Sequence, residues 1–490
     1  MGRINSNIPA LTAGFQLGRN QRDLAVALQR LSSGLKINRG ADNPAGLIVS
    51  ERLRSEISAV GQAIDNSQRA INVISTTEAG LHEVSSLLND IQSLVVEAAN
   101  RGAFSDEEVD ANQLQIDSAI DSISRIANTA TFAGRKLLDG SLDYVTSGVD
   151  TNLLANVGVQ EANFGSRPFI PVEIDVSLSA LQAELHFPAS TTGNQTVSID
   201  LQGTAGIITL TFPASTTTNE IVEQINTVSD TTGIIASANA YTAGAGTPTA
   251  SGVLLLTRQY GSDAFVSVTV LENSGDFFLL NRAGTIENPT SGGGRTEGRD
   301  AEGTINGAAT VGDGLKMSLT SFLLDLDVTL DETFGAGNTS FAITSGGSLY
   351  QLGPRVNINQ QESIGVKSMH ANKLGNRLVG FLSELKSGGP KSLRSGNFSD
   401  ASDVLDEVIT QVAVLRGRLG AFERNKLQPN ITQLQVSVEN LTASESVIRD
   451  TDFAQETTEL TRSQILVQAG TSILAIANAQ QQNVLSLLGG

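Results

Sequence analysis

The stretch SQILVQAGTSILAIANAQQQNVLSLLGG, from Ser463 to Gly490, carries no charged side chain, yet it is too polar to span a bilayer. Within and just before it, Leu466, Ile473 and Leu487 follow a seven-residue spacing, with Gln480 in the missing step. Leu460, Val467, Leu474 and Leu488 make a second row, with Gln481 in its gap. The start of the chain repeats the habit: Leu17, Leu24 and Leu31 form one row, Leu28 and Leu35 another. Rows seven apart and offset by four are the seam of a helix that packs along another helix. A chain with such a seam at each end and none in its middle is built to be joined at its ends. That implies an assembling structural subunit rather than a solitary enzyme.

Working inward, charge supports the pairing of the two ends. Residues 1–42 hold Arg3, Arg19, Arg22, Arg30, Lys36 and Arg39 against Asp23 and Asp42, whereas residues 449–490 hold Arg449 and Arg462 against Asp450, Asp452, Glu456 and Glu459. The ends therefore carry opposite net signs, although exposed ion pairs add only about 0–1 kcal/mol each. The whole chain of 490 residues carries −19, which argues against nucleic acid or an anionic membrane as partner. Identical copies repel one another at that charge, so any assembly must rest on apolar burial. There is no Cys, hence no disulfide framework and no thiolate metal site. Gly2 to Pro9 are mostly polar with no apolar run behind them, which does not read as a signal peptide.

Proline placement divides the interior. Residues 45–167 and 430–490 contain none. Asn43-Pro44 is a helix start, with Asn as N-cap and Pro in the first turn. From there Leu47, Leu53, Ile57, Val60, Ile64, Ile71, Ile74 and Leu81 keep a helical period to about residue 100. A second helix is expected from near Ser105 to Asn128, with Leu114, Ile116, Ile120, Ile123 and Ile126 on its apolar face. Beyond Gly140, Thr, Ser, Gly and Val dominate, and two-residue alternation appears at Thr196 to Leu201 and Ile207 to Phe212. A short helix at Asn219 to Val228, a strand at Gly233 to Ala236 and strands at Leu323 to Leu330 and Ser340 to Thr344 follow. Gly292 to Gly294 reads as a linker inside this region. Helical texture is expected again near Ser368, and a final long helix or helix pair from about Ser402 to Gly490, interrupted near Pro429 or at Arg449 to Asp452. The fold class is α+β multidomain: long N- and C-terminal helices pair as a coiled-coil or helical bundle, and the central insert is β-rich.

The end segments resemble bacterial flagellin. Leu31 to Asn38, Asp42 to Gly46 and Thr131 to Leu138 carry the resemblance on the N-terminal side, and Ile448 to Glu456, Arg462 to Leu466 and Asn483 to Gly489 on the C-terminal side. It covers about residues 1–145 and 350–490, and residues 196–240 look like the small flagellin insert motif. The resemblance implies a self-assembling subunit of the flagellar filament for swimming, secreted to the cell exterior by a type III flagellar export apparatus. It implies residues 1–42 plus 450–490 as a terminal coiled-coil inner tube and 43–178 plus 352–449 as an outer tube of helices with a β-hairpin. Residues 179–351 would be the exposed insert. A homopolymer, an export chaperone, a filament cap protein and a hook–filament junction protein are the implied partners, with no cofactor. The assembly residues would be Leu17, Leu24, Leu28, Leu31, Leu35, Leu460, Leu466, Val467, Ile473, Leu474, Leu487 and Leu488. Against the patch by which flagellins engage Toll-like receptor 5, Leu94 matches, while Asp90 stands in place of Arg and Gln115 in place of Glu. Gln480-Gln481-Gln482 stands where many flagellins place a Pro, so the last helix is expected to run unbroken. A hook–filament junction protein shares the terminal pattern and is the alternative; a filament-borne adhesin or hydrolase seated in 180–350 is the rival from another class.

Catalytic or metal chemistry finds little purchase. His82-Glu83-Val84-Ser85-Ser86 lacks the second His that a zinc helix needs four residues on. Asp325, Asp327, Thr329 and Asp331 share a strand face, but the glycine turn of a calcium loop is missing. Ser33-Gly34-Leu35-Lys36 and Ser383-Glu384-Leu385-Lys386 match a Ser-x-x-Lys pattern of a kind that arises by chance in a chain this long.

Overall fold

The computed structural model describes residues 7–100, 102, 105–165, 167–189, 191–240, 251–272, 279–282, 286–287, 294–321 and 323–488. The chain divides into two units: residues 1–69, 351–356 and 425–490 form one, and residues 70–350 and 357–424 the other.

The first unit is helical. Helix α1 spans Ile8–Ser33; its N-cap Asn7 accepts a hydrogen bond from the Ala10 N–H at 3.0 Å. It stops at Gly34, whose φ of 73° is the left-handed conformation that ends helices without a Cβ penalty. Helix α2, Pro44–Ala99, begins as Asn43-Pro44 predicts: the Asn43 side chain accepts from the Gly46 N–H at 2.9 Å. Within this unit, Val60 and Ala63 of α2 form a small core with Leu434, flanked by Ile64, Val438 and Leu441. Leu434, Val438 and Leu441 belong to α7, Gln428–Arg449, and α8 follows as Phe453–Leu488.

The second unit opens with the remainder of α2 and with α3, Asp106–Thr129. Ser105 and Glu108 make the reciprocal capping box at the start of α3. Ile116, Ile120 and Ile123 are buried as expected, whereas Leu114 stays 66 % exposed. A tight two-stranded turn follows, β1 at Thr131–Phe132 against β2 at Arg135–Lys136.

Among the described residues, four antiparallel sheets of four or five strands make up the β-rich middle. One five-stranded sheet runs β16-β15-β5-β20-β3, from Ala308–Ala309, Glu302–Ile305, Ile170–Leu178, Gly337–Gly346 and Tyr144–Ser147. A four-stranded sheet, β17-β18-β19-β4, takes Val311–Asp313, Lys316–Thr320, Leu324–Leu330 and Leu154–Ala162. Their inward residues, among them Val172, Ile174, Leu326, Val328, Phe341 and Ile343, share one core. Strands from either side of residue 178 contribute to it. A second core, with Leu185, Phe187, Ile199, Phe212 and Val268, belongs to two further sheets. These are β13-β12-β6-β10-β9 (Ile286–Glu287, Leu279–Asn281, Gln182–Phe187, Ser251–Tyr260, Ile234–Ala240) and β14-β11-β7-β8 (Gly294–Glu297, Phe265–Glu272, Val197–Gln202, Ile207–Phe212). Helix α4, Thr218–Thr227, lays Ile221 and Ile225 into the same core, and the four-residue turn α5, Ser229–Thr232, follows. The expected Gly292–Gly294 linker lies mostly outside the described residues, and Gly294 itself opens β14.

Two expectations need correction. Helix does not resume near Ser368: residues 365–397 hold turns, short 3-10 segments and the two-residue strands Gly375–Asn376 and Gly380–Phe381. Gly375, Gly380, Gly388 and Gly396 all take positive φ there, which no α-helix tolerates in its interior. The next helix, α6, spans Phe398–Phe422. The interruption expected near Pro429 or at Arg449 to Asp452 occurs at both places. A π-turn at Glu423–Leu427 precedes Pro429, and α7 ends at Asp450, whose backbone is extended.

Candidate functional site

The two ends of the chain come together in the first unit, where α1 and α8 pack antiparallel. Markers of the register run along the whole contact. The Asn7 amide donates to the Ala477 carbonyl at 3.0 Å, and the Asn20 amide to that of Leu466 at 3.4 Å. Arg30 meets Glu456 at 3.7 Å, with both side chains largely covered. A Cβ added to Gly470 would lie 3.3 Å from Leu17 Cδ1, so the glycine lets the helices approach. At the far end the chain forms a single β-bridge, Leu35 opposite Asp450: the Lys36 N–H donates to the Arg449 carbonyl at 2.7 Å and the Thr451 N–H to that of Gly34 at 2.9 Å. Beyond it, Asp452 caps α8 by accepting from Ala454 N–H and Gln455 N–H.

The predicted rows fall on different sides of this pair. Leu17, Leu24 and Leu31 are half-buried on α1, and Leu460, Val467 and Leu474 on α8; Leu35 is half-buried beside the bridge. Leu28, Leu466 and Ile473 remain exposed. Leu487 and Leu488 end α8 in a stretch whose side chains lie outside the described residues. Two helices in antiparallel contact cover one stripe each, so the offset row is left open. Residues outside the predicted rows extend that open surface: Phe15 is 75 % exposed and Ile476 66 %, with Ile8, Leu11 and Ile465 also bare. Between the helices Ile8, Pro9, Ala13, Leu466, Ala469 and Ile473 line an open apolar groove of about 620 Å³. Sequence reasoning missed the small residues that make the close contact, Ala27, Ser463 and Ala477, all buried.

The motif segments have local structural jobs. The Asn38 side chain donates to the Leu35 carbonyl at 2.9 Å, and one Asp42 oxygen accepts from the N–H groups of Arg39 and Asn38 at 2.8 and 3.0 Å. Those backbone bonds hold the Asp42 carboxyl below the usual carboxylate range. Ile37 is buried beneath the start of α2, where a Cβ on Gly46 would come within 2.7 Å of Ile37 Cδ1. Residues 31–46 therefore turn the chain from the paired arm into the long helix.

Residues 4–143 match the family described as bacterial flagellin N-terminal helical region, and residues 402–488 match the bacterial flagellin C-terminal helical region. The chain belongs to the bacterial flagellin family. Flagellin B of Helicobacter pylori is 29 % identical over 531 aligned residues, and a flagellin of Salmonella typhimurium 28 % over 527, each alignment covering 99 % of both chains. The crystal structure of Xanthomonas campestris FlgL aligns over 81 % of this chain and 99 % of its own at 11 % identity, with a TM-score of 0.28 that carries no weight for the fold.

This flagellin is a structural subunit of the extracellular flagellar filament, a homopolymer that serves motility. Among its described residues no helix is long and apolar enough to cross a membrane. The polar clusters considered for chemistry are engaged within the flagellin. Asp327 accepts from Gln160 at 2.8 Å and meets Lys316 at 3.3 Å, Asp331 accepts from Thr333, and Lys386 pairs with Asp121 at 2.6 Å. In the receptor-patch positions, Leu94 is half-buried while Asp90 and Gln115 are exposed.

Proposed function

We propose that the paired arms, residues 1–42 and 450–490, are the surface through which copies of this flagellin polymerise, and that the chain has no catalytic role. The observation that carries the reading is the apolar row left bare on the arm pair: Leu28, Leu466 and Ile473, continued by Phe15, Ile465 and Ile476. Burying each such side chain returns about 1.5–3 kcal/mol, and only a neighbouring copy repeats the matching surface along a filament. On this reading the arms form an inner tube, residues 43–178 and 352–449 surround it, and the β-rich insert faces outward. Before export the bare row needs a cover, which fits a cytoplasmic chaperone on the C-terminal arm; at the tip and base a cap protein and a junction protein would present the same kind of arm surface. Leu31→Asp or Leu474→Asp, each placing a carboxylate in the covered row, should abolish filaments seen by electron microscopy and leave the β-sheet circular dichroism of the insert unchanged. Wild-type filament yield from either variant would refute the assignment.

The same exposure pattern bears on receptor recognition. Asp90 presents a negative charge where recognised flagellins present a positive one, and a reversed charge in an interface costs several kcal/mol. Purified monomer should give weak or no signal in Toll-like receptor 5 reporter cells, and full potency there would overturn that expectation.

A further inference from the structure

Among the described residues, one edge strand of the β-rich middle keeps its outer backbone groups without a hydrogen-bond partner. Strand β8, Ile207–Phe212, is the last strand of the sheet β14-β11-β7-β8 and pairs only with β7, in unbroken register from Val197–Phe212 to Gln202–Ile207. A lateral edge carries a row of free N–H and C=O groups that only another extended strand can match, and proteins normally blunt it with charge, bulges, short length or a cover. The other edges of these four sheets are blunted in those ways. Along β9 the Asn226 side chain clasps the backbone of Ala236, donating to its carbonyl at 2.9 Å and accepting from its N–H at 2.8 Å. Strand β14 carries Arg295 and Glu297, paired at 3.1 Å. Strands β13, β16 and β17 are two or three residues long, and β3 and β4 pair through register shifts. Strand β8 has six residues with no charge, no proline and no register shift. Among the described residues its outer backbone groups have no protein partner; α4 and α5 both touch β8, and a Cβ on Gly206 would lie 2.8 Å from the Thr231 carbonyl, but neither helix bonds to the strand's backbone.

A second observation points the same way. The inward residues of β7, Val197, Ile199 and Leu201, are at most 1 % exposed, yet Ile208 and Leu210 on β8 stay half-buried at the rim of the same core. Helices α4 and α5 touch β8 and cover this rim in part, leaving Ile208 and Leu210 less buried than their neighbours on β7. A strand added to β8 would close the rim.

We propose that β8 pairs antiparallel with β8 of a second copy of this chain, joining two inserts through a continuous sheet. A second copy fits for two reasons. The chain carries −19, so two copies repel over most of their surface, and β8 is a segment where they can meet without adding charge to charge. Assembly into filaments also supplies copies at high local concentration. A one-residue slip would turn the apolar row to the other face, and of the registers that keep it inward, the one that opposes all three inward residues sets Leu210 against Leu210 and Ile208 against Phe212. In that register Thr209 of one copy faces Thr211 of the other, on the exposed side.

The absence of native cysteine makes this register readable. Full-length Thr209→Cys and Thr211→Cys chains are prepared separately and mixed, assembled, oxidised and run on non-reducing gels; directly opposed strand residues lie within disulfide reach. The mixture should yield at least tenfold more cross-linked dimer than either variant alone, and than Val311→Cys, an exposed position on β17. Equal yields across the mixture, the single variants and Val311→Cys would overturn the proposal. Placing Thr211→Lys in the Thr209→Cys chain should cut cross-linking to the Thr211→Cys partner at least tenfold, since it sets an ammonium on the shared edge; an unchanged yield would count against β8. Electron microscopy of the same samples reports on the terminal arms independently, so loss of filaments and loss of cross-links are distinguishable failures.

Discussion

At the scale of single residues, the chain shows how a carboxylate buried on a strand is kept charged. Glu184 sits on β6 with its side chain largely covered. Burial alone would raise its pKa, but hydrogen bonds and charge from His186 and from Arg282, 2.6 Å away, hold it down at about 2. A folded-state value below the ordinary 4.5 means the folded state binds fewer protons than the unfolded one in that window. The contribution to stability is therefore complete above about pH 4.5 and is lost as pH falls toward 2. Glu184→Gln should be less stable than wild type by roughly 1–3 kcal/mol near neutrality, because Arg282 loses its charged partner. Calorimetric melts taken from pH 7 down to pH 2 should show that difference shrinking to nothing; a constant gap would mean that packing, not charge, is what Glu184 supplies. Such a residue was illegible beforehand, since Glu184 and His186 alternate along a strand while Arg282 is distant in sequence. The leucines of the arms were legible because a seven-residue spacing is a local property. Ala27, Ser463 and Gly470 were not, because a small residue has no signature until its neighbour is known.

At the scale of elements, periodicity identified which helices pair but left open which row faces which. Leu466 and Ile473 look as seam-like in sequence as Val467 and Leu474, yet the pair covers only the latter two. The difference follows from geometry: an antiparallel pair has one contact line, and a helix with two offset rows has apolar surface to spare. The contact itself is modest, built among the described residues on half-buried leucines, the small buried Ala27, Ser463 and Ala477, two side-chain amides and one ion pair. Ordering ~40 residues in each arm works against backbone entropy of about 1–2 kcal/mol per residue, which one row of leucines does not offset. We therefore expect the arms to be only transiently helical in the free subunit and to order when neighbours cover the second row. Amide hydrogen exchange should find residues 10–35 poorly protected in the monomer and strongly protected in filaments, while β5, β7 and β19 are protected in both. Strong protection of residues 10–35 in the monomer would show that the pair suffices by itself. Other elements were plain in advance where capping and proline chemistry were explicit, as at Asn43-Pro44 and Ser105. The stretch 365–397 misled because its apolar spacing is helical, and four glycines at positive φ set the backbone instead.

At the scale of the whole molecule, two opposed demands fall on one chain. A net charge of −19 keeps subunits apart in dilute solution, whereas a filament must crowd them together. On the proposed reading the two demands are separated along the sequence: the uncharged stretch 463–490 and the leucine rows carry cohesion, while carboxylates are spread over the long helices and the β-rich middle. Among the described residues the β-rich middle packs around two cores filled by alternating strand residues, which is why its sheets could be read from alternation even though their order and their edges could not. Strand order depends on pairings between residues such as Leu178 and Glu302, far apart in the chain, and no local pattern records them. If cohesion is apolar and opposition is long-range charge, salt should favour polymerisation by screening the second and sparing the first. Raising ionic strength from about 0.01 M to about 0.15 M shortens the screening length from roughly 30 Å to roughly 8 Å, so seeded elongation should accelerate over that interval. Light scattering of purified subunits on fixed seeds measures it directly. Elongation that slows with salt would mean that ion pairs between copies, rather than the leucine rows, hold successive copies together.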